Sequence, residues 1–170
     1  MRKIILFIAT SLDGFIAGKN DEMDWLFHDQ DYGYKAFYNS VDTVIMGRKT
    51  YDIALKLEKE PFKDKKIIVF SRNNNKVEYI QSPVDFIKEL KKQEGKDMWL
   101  VGGSEIVSIL LNNNLINEMK IFIHPIIIGQ GKELFKDIKN EIKLELIETK
   151  HYDSGLVEVN YVVKDQWKGL

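Results

Sequence analysis

Three short turns carry most of the chemistry that can be read from this sequence. At Val101-Gly102-Gly103-Ser104-Glu105 an apolar run stops at two glycines and a helical pattern begins at once, with Ile106, Ile109 and Leu110 on one face. A helix that starts behind Gly-Gly leaves its first backbone N–H groups uncovered, and with the helix dipole these favour an anion such as a phosphate or pyrophosphate. Met46-Gly47-Arg48-Lys49-Thr50-Tyr51 repeats the pattern with a guanidinium and a hydroxyl in the first helical turn. The apolar run Ile67–Phe70 ends in Ser71-Arg72. Glycine, Ser/Thr and Arg at three strand ends are the parts for gripping several phosphates. Each also has a plainer use: Gly-Gly makes ordinary tight turns, Thr50 can bond its own backbone at a helix start, and Arg48 and Arg72 can pair at the surface. Of 25 cationic residues only Arg2, Arg48 and Arg72 are arginine. A lysine-rich chain that keeps arginine at two such turns suits the planar fork that phosphate oxygens accept.

Other residue types are less decisive. Asp13-Gly14 is a turn dipeptide inside a Gly-punctuated loop, Ala9 to Gly18, that follows the first apolar run. Asp29-Gln30-Asp31 reads as a helix N-terminus, where carboxylates favour the dipole. His28, His124 and His151 are scattered, with no paired spacing for a metal. There is no cysteine, which excludes disulfides and thiolate chemistry, and Ser11 and Ser104 show no His/Asp partners for a hydrolase.

The elements that must hold these turns follow from periodicity. Strands are expected at 4–9, 43–46, 66–70, 98–101, 120–124, 143–149 and 156–163, with a shorter one at 77–80 and a turn at 72–76. Helices are expected at 31–40, 50–57, 83–93 and 104–112, the third with Ser82 as N-cap and Pro83 in its first turn. Strands alternate with helices up to Pro125 and then two strands follow in succession. That order implies an α/β, three-layer fold: a mainly parallel mixed sheet flanked by helices, with a C-terminal antiparallel hairpin at one edge. Ligands of such sheets collect where strands end and helices begin. At 170 residues with net charge −1, one domain spanning 1–170 is expected, and no basic face advertises nucleic acid or anionic membrane. The apolar run at Ile4–Ile8 is too short for a signal peptide and no stretch reaches membrane-span length, so a cytoplasmic protein is expected.

In order and spacing, Ser11-Leu12-Asp13-Gly14-Phe15-Ile16-Ala17-Gly18, Asp24-Trp25, Ile45 through Tyr51, Ile68 through Arg72, Val101 through Glu105 and Pro125 through Gly129-Gln130-Gly131 to Phe135 together resemble the dihydrofolate reductase-like superfamily. The similarity is closest to the riboflavin-biosynthesis reductase (RibD C-terminal) group and its small stand-alone bacterial members. The resemblance implies an NADPH-dependent reductase acting on a small heterocycle, a ribosylaminopyrimidine of the riboflavin pathway or a dihydropterin. By that match Gly47, Arg48, Lys49, Thr50, Val101, Gly102, Gly103, Ser104, Glu105 and Ile106 become cofactor residues. Ser71 and Arg72 would face the adenosine ribose and its 2′-phosphate, and Ala9, Ile16 and Gly18 would line the nicotinamide end. Asp31, with Asp29 as the alternative, matches the carboxylate that supports proton delivery, and Asp13, Trp25 and His124 fall on the substrate side. Lys65 or Lys66 stands where folate-reducing members hold an arginine, and Ile123 where they hold a threonine, which tilts the expectation away from folate. The alternative reading is a non-catalytic NADPH-binding protein with a diverged substrate side. Members of this group often pair as homodimers, and the Lys143–Val163 hairpin offers apolar surface for that.

Overall fold

A computed structural model describes residues 1–72, 79–80 and 82–164. The chain forms β1 (Ile4–Ser11), β2 (Phe15–Ala17), α1 (Tyr34–Ser40), β3 (Val41–Gly47), α2 (Arg48–Leu57), β4 (Lys66–Phe70), β5 (Tyr79–Ile80), α3 (Pro83–Lys92), β6 (Asp97–Gly102), α4 (Ser104–Asn112), β7 (Glu118–His124), β8 (Lys132–Glu133), β9 (Leu144–His151) and β10 (Val157–Val163). Eight strands make one sheet in the order β5-β4-β3-β6-β1-β7-β10-β9. Pairing is parallel from β5 across to β7, and β10 then runs antiparallel to both β7 and β9. The expected hairpin is therefore present, with its second strand inserted between β7 and its first.

Central strands are apolar on both sides because both sides are covered. On one, Ile4, Leu6, Ile45, Met98 and Leu100 pack under α3 and α4, which contribute Ile87, Leu90, Val107 and Leu110. On the other, Ile5, Val44, Met46 and Trp99 meet Phe37 of α1, with Tyr51 of α2 packed against them. The core thus lies in two layers around the sheet, and α2 and α4 start from neighbouring strands on opposite faces.

Two expectations need correction. The helix expected from residue 31 starts at Tyr34, because Tyr32 (φ 49°) and Gly33 (φ 78°) turn the chain through left-handed conformations. The helix expected from Thr50 starts at Arg48, directly out of β3, so Thr50 lies inside its first turn. A two-stranded ribbon, β2 with β8, went unanticipated. Of the expected strand at 77–80, Tyr79–Ile80 pairs with β4 as β5; Val77 and Glu78, and most of the turn expected at 72–76, lie outside the described residues. No described helix is long and apolar enough to cross a membrane.

Candidate active site

The strand order sets the site out in a row. Along one edge of the sheet the ends of β4, β3, β6 and β1 stand side by side, carrying Ser71-Arg72, Gly47-Arg48, Gly102-Gly103 and Ala9 to Ser11. Parallel register places Gly47 opposite Phe70 and Met46 opposite Gly102, so the three turns singled out above are neighbours. With strands ~4.8 Å apart, this row runs for about 14 Å.

At its centre two helix N-termini converge. Neither α2 nor α4 has a side-chain hydrogen bond capping its start. Gly103 takes φ 60°, and a Cβ there would lie 3.2 Å from Thr50 Oγ1, so the turn before α4 rests against the first turn of α2. The NADPH implied by the resemblance fits this arrangement: two sets of uncapped N–H groups and a glycine approach suit a pyrophosphate. The side chains around them are engaged with one another. Arg48 Nε donates to Asp52 Oδ1 at 2.7 Å, Arg72 pairs with Glu105, and the Ser104 hydroxyl donates to the Glu133 carbonyl on β8. Lys49 sits in the first turn of α2, and Val101 and Ile106 flank the Gly-Gly turn, Ile106 buried beneath it. Beyond Arg72, a cavity of about 290 Å³ opens against Glu105 and Ile109.

At the other end of the row lies a larger cavity of about 540 Å³. Its floor is Phe7 and Ala9 of β1 with Phe122 and His124 of β7, paired in register as Ala9 with Phe122 and Ser11 with His124. Phe7 stacks on Phe37 at 4.2 Å and leans on Phe122 at 4.6 Å, which stiffens that floor. The roof is the segment from Leu26 to Tyr34, which contributes Phe27, Gln30, Asp31 and Tyr32. His124 ties roof to floor. Its Nε2 accepts the Phe27 N–H at 3.2 Å and its Nδ1 lies 3.1 Å from the Phe122 carbonyl, an arrangement that requires the neutral imidazole with the proton on Nδ1. Burial holds the His124 pKa below the ordinary histidine value.

The expected substrate-side residues divide. Asp31 lines the cavity, and its carboxylate also accepts the Lys35 N–H at 3.3 Å on each oxygen. Asp29 instead accepts the Tyr32 hydroxyl at 2.7 Å. His124 lines the floor, and Trp25 stands edge-on to its ring at 5.2 Å. Asp13 is occupied in its own turn, taking the Ser11 hydroxyl at 2.6 Å and the backbone N–H groups of Ile128 and Gly129 at 3.1 and 2.8 Å. Of the expected nicotinamide residues, Ala9 faces the cavity, Ile16 packs against the core and Gly18 is buried where the loop turns back. Phe7, Phe122, Tyr34 and Leu156 line the cavity and were not anticipated.

Comparison with known proteins gives the family and the fold. The family model for the RibD C-terminal domain matches residues 2–158. YyaP, an uncharacterised protein of Bacillus subtilis, is 38% identical over 185 residues, covering 99% of this chain and 96% of its own. The crystal structure of a putative riboflavin biosynthesis protein from Shewanella sp. PV-4 superposes with a TM-score of 0.85 at 30% identity, covering 96% of this chain and 99% of that one. Dihydrofolate reductase from Enterococcus faecalis, complexed with NADP(H) and RAB-propyl, shares the fold at a TM-score of 0.72 and 18% identity, with 96% and 97% covered.

Proposed function

The chain belongs to the RibD C-terminal domain family, and on that premise we propose that it is an NADPH-dependent reductase that delivers a hydride to a C=N or C=O carbon of a small flat heterocycle, of the ribosylaminopyrimidine or dihydropterin kind. One observation carries the reading: the uncapped starts of α2 and α4 meet at Gly103 and Thr50, in line with an aromatic cavity two strands away.

When bound, NADPH supplies the hydride. The protein binds, orients and excludes water. The N–H groups behind Gly47 and Gly103 would hold the pyrophosphate, and Ser71 and Arg72 would meet the 2′-phosphate, a choice that favours NADPH over NADH. Ala9, on the cavity floor, would meet the nicotinamide ring. The Phe7 and Phe122 floor and the Leu26–Tyr34 roof hold the acceptor ring flat, and proximity supplies much of the rate. Asp31, or a water it holds, gives the proton.

The test is a nucleotide titration read by tryptophan fluorescence and by calorimetry, on wild type and on the Arg48→Ala/Arg72→Ala variant, with NADH in parallel. The expected result is NADPH affinity above NADH affinity, reduced ten-fold or more in the double variant, on the order of what losing two charge-assisted phosphate contacts costs. No binding of either nucleotide by wild type would end the proposal. Binding with no oxidation over a panel of pterins, pyrimidines and carbonyl compounds would instead identify a nucleotide-binding protein without turnover.

A further inference from the structure

The cavity's charge pattern narrows its occupant. Five phenyl or phenol rings line it (Phe7, Phe27, Tyr32, Tyr34 and Phe122), and among its lining residues Asp31 is the single carboxylate while none is lysine or arginine. The His124 imidazole is held neutral by its two backbone partners. Lys65, which approaches the outer side of α1, is occupied: its side chain is 6% exposed, its ammonium lies 3.1 Å from Asp64 and 4.1 Å above the Tyr38 ring. Arg48, Arg72 and the uncapped helix starts that favour anions are gathered at the ends of β3, β4 and β6, across the row from this cavity.

A phosphate against these walls would find no lysine or arginine and would stand beside the Asp31 carboxylate, and both disfavour it. A flat ring with an N–H group suits the same walls. It stacks on the aromatic floor and offers a donor to Asp31, whose only protein partner among the described bonds is the long contact from Lys35. We propose that this cavity takes a flat nitrogen heterocycle with no phosphate or other anionic tail, so that whichever of the two substrate kinds named above is reduced, it is reduced in its unphosphorylated form. This inference rests on the cavity being the acceptor site of the proposed reductase.

Two matched pairs test it: a ribosylaminopyrimidine with and without its 5′-phosphate, and a hydroxymethyl dihydropterin with and without a phosphate on the hydroxymethyl group. Binding is measured by calorimetry on the protein with and without NADPH, and turnover by NADPH oxidation. In each pair that binds, the unphosphorylated member is expected to bind about ten-fold tighter or more, the scale of an unpaired charge brought against a like charge. Gln30→Lys places a cation in the wall and is expected to close most of that gap while NADPH affinity stays unchanged; Leu26→Lys serves the same purpose if the first variant does not fold. Tighter binding of either phosphorylated member overturns the inference, and so does failure of all four compounds to bind. Loss of NADPH binding alone would sink the cofactor reading, and the pairs run without nucleotide would still decide this one.

Discussion

The Phe27 N–H donates to Nε2 of His124 across 3.2 Å, joining a residue of the cavity roof to one of its floor, 97 positions apart in the chain. Protonating that nitrogen turns the acceptor into a second donor and breaks the link. Because burial depresses the His124 pKa, the unfolded chain binds the proton first as pH falls through the ordinary value of 6.5. Stability is therefore full above that value, declines below it, and levels off once the folded histidine is protonated too. Thermal unfolding followed from pH 8 to pH 5 is expected to show this decline. In His124→Leu it should flatten, with about 1–3 kcal/mol lost at neutral pH from the stranded N–H and carbonyl.

Gly103→Ala forces a side chain into a left-handed conformation and brings its methyl to 3.2 Å from Thr50 Oγ1. The expected cost is about 1–2 kcal/mol of stability from the backbone alone. The methyl would also stand where two helix starts meet, so NADPH affinity is expected to fall by more than stability does. Chemical denaturation alongside a nucleotide titration separates the two effects.

Asp31→Asn keeps an oxygen that accepts the Lys35 N–H, and asparagine serves as well as aspartate at a helix start. Stability should hardly change. Removing the charge and the proton carrier is expected to lower kcat/KM for the heterocycle by about 10²-fold, in the range of general acid–base contributions, with NADPH affinity preserved. Equal activity in both proteins would remove Asp31 from the chemistry.

On β10, the buried Glu158 carboxylate accepts the Tyr152 hydroxyl at 2.9 Å and the Asn160 amide at 2.9 Å. Burial, reinforced by Glu158, pushes the Tyr152 pKa up to about 12. The bond's contribution is complete at neutral pH and disappears as pH climbs from the ordinary value of 10.0 through that raised one. Tyr152→Phe is expected to lose about 1–2 kcal/mol at pH 7, read by urea unfolding, and to remove that share of the alkaline destabilisation.

How far this molecule can be read from its residues differs between the two ends of the site. The turns before α2 and α4 announce themselves because their determinants are local: Gly102-Gly103 and Gly47-Arg48 are contiguous, and their strand-to-helix context is visible in the hydrophobic pattern. The cavity does not, because its floor is assembled by register. Phe7, Ala9 and Phe122 sit in strands buried on both faces, where a continuous apolar run hides which residues look which way. Asp31 could be placed near the cavity only by resemblance, and its expected helix was drawn too long since nothing about Tyr32 signals a positive φ. The β2–β8 ribbon has strands of three and two residues, below what any periodicity can reveal.

That ribbon has a mechanical consequence. β2 is clamped to β8 by pairing and by the Leu134 N–H to Gly14 carbonyl bond at 2.9 Å, and a Cβ on Gly131 would lie 2.2 Å from the Ala17 carbonyl. β8 in turn holds the start of α4 through Ser104 and Glu133, and is rooted by Leu134, which is 1% exposed. The loop that carries β2 is thus no free-swinging flap: it is joined through β8 to the start of α4, so displacing either one pulls on the other.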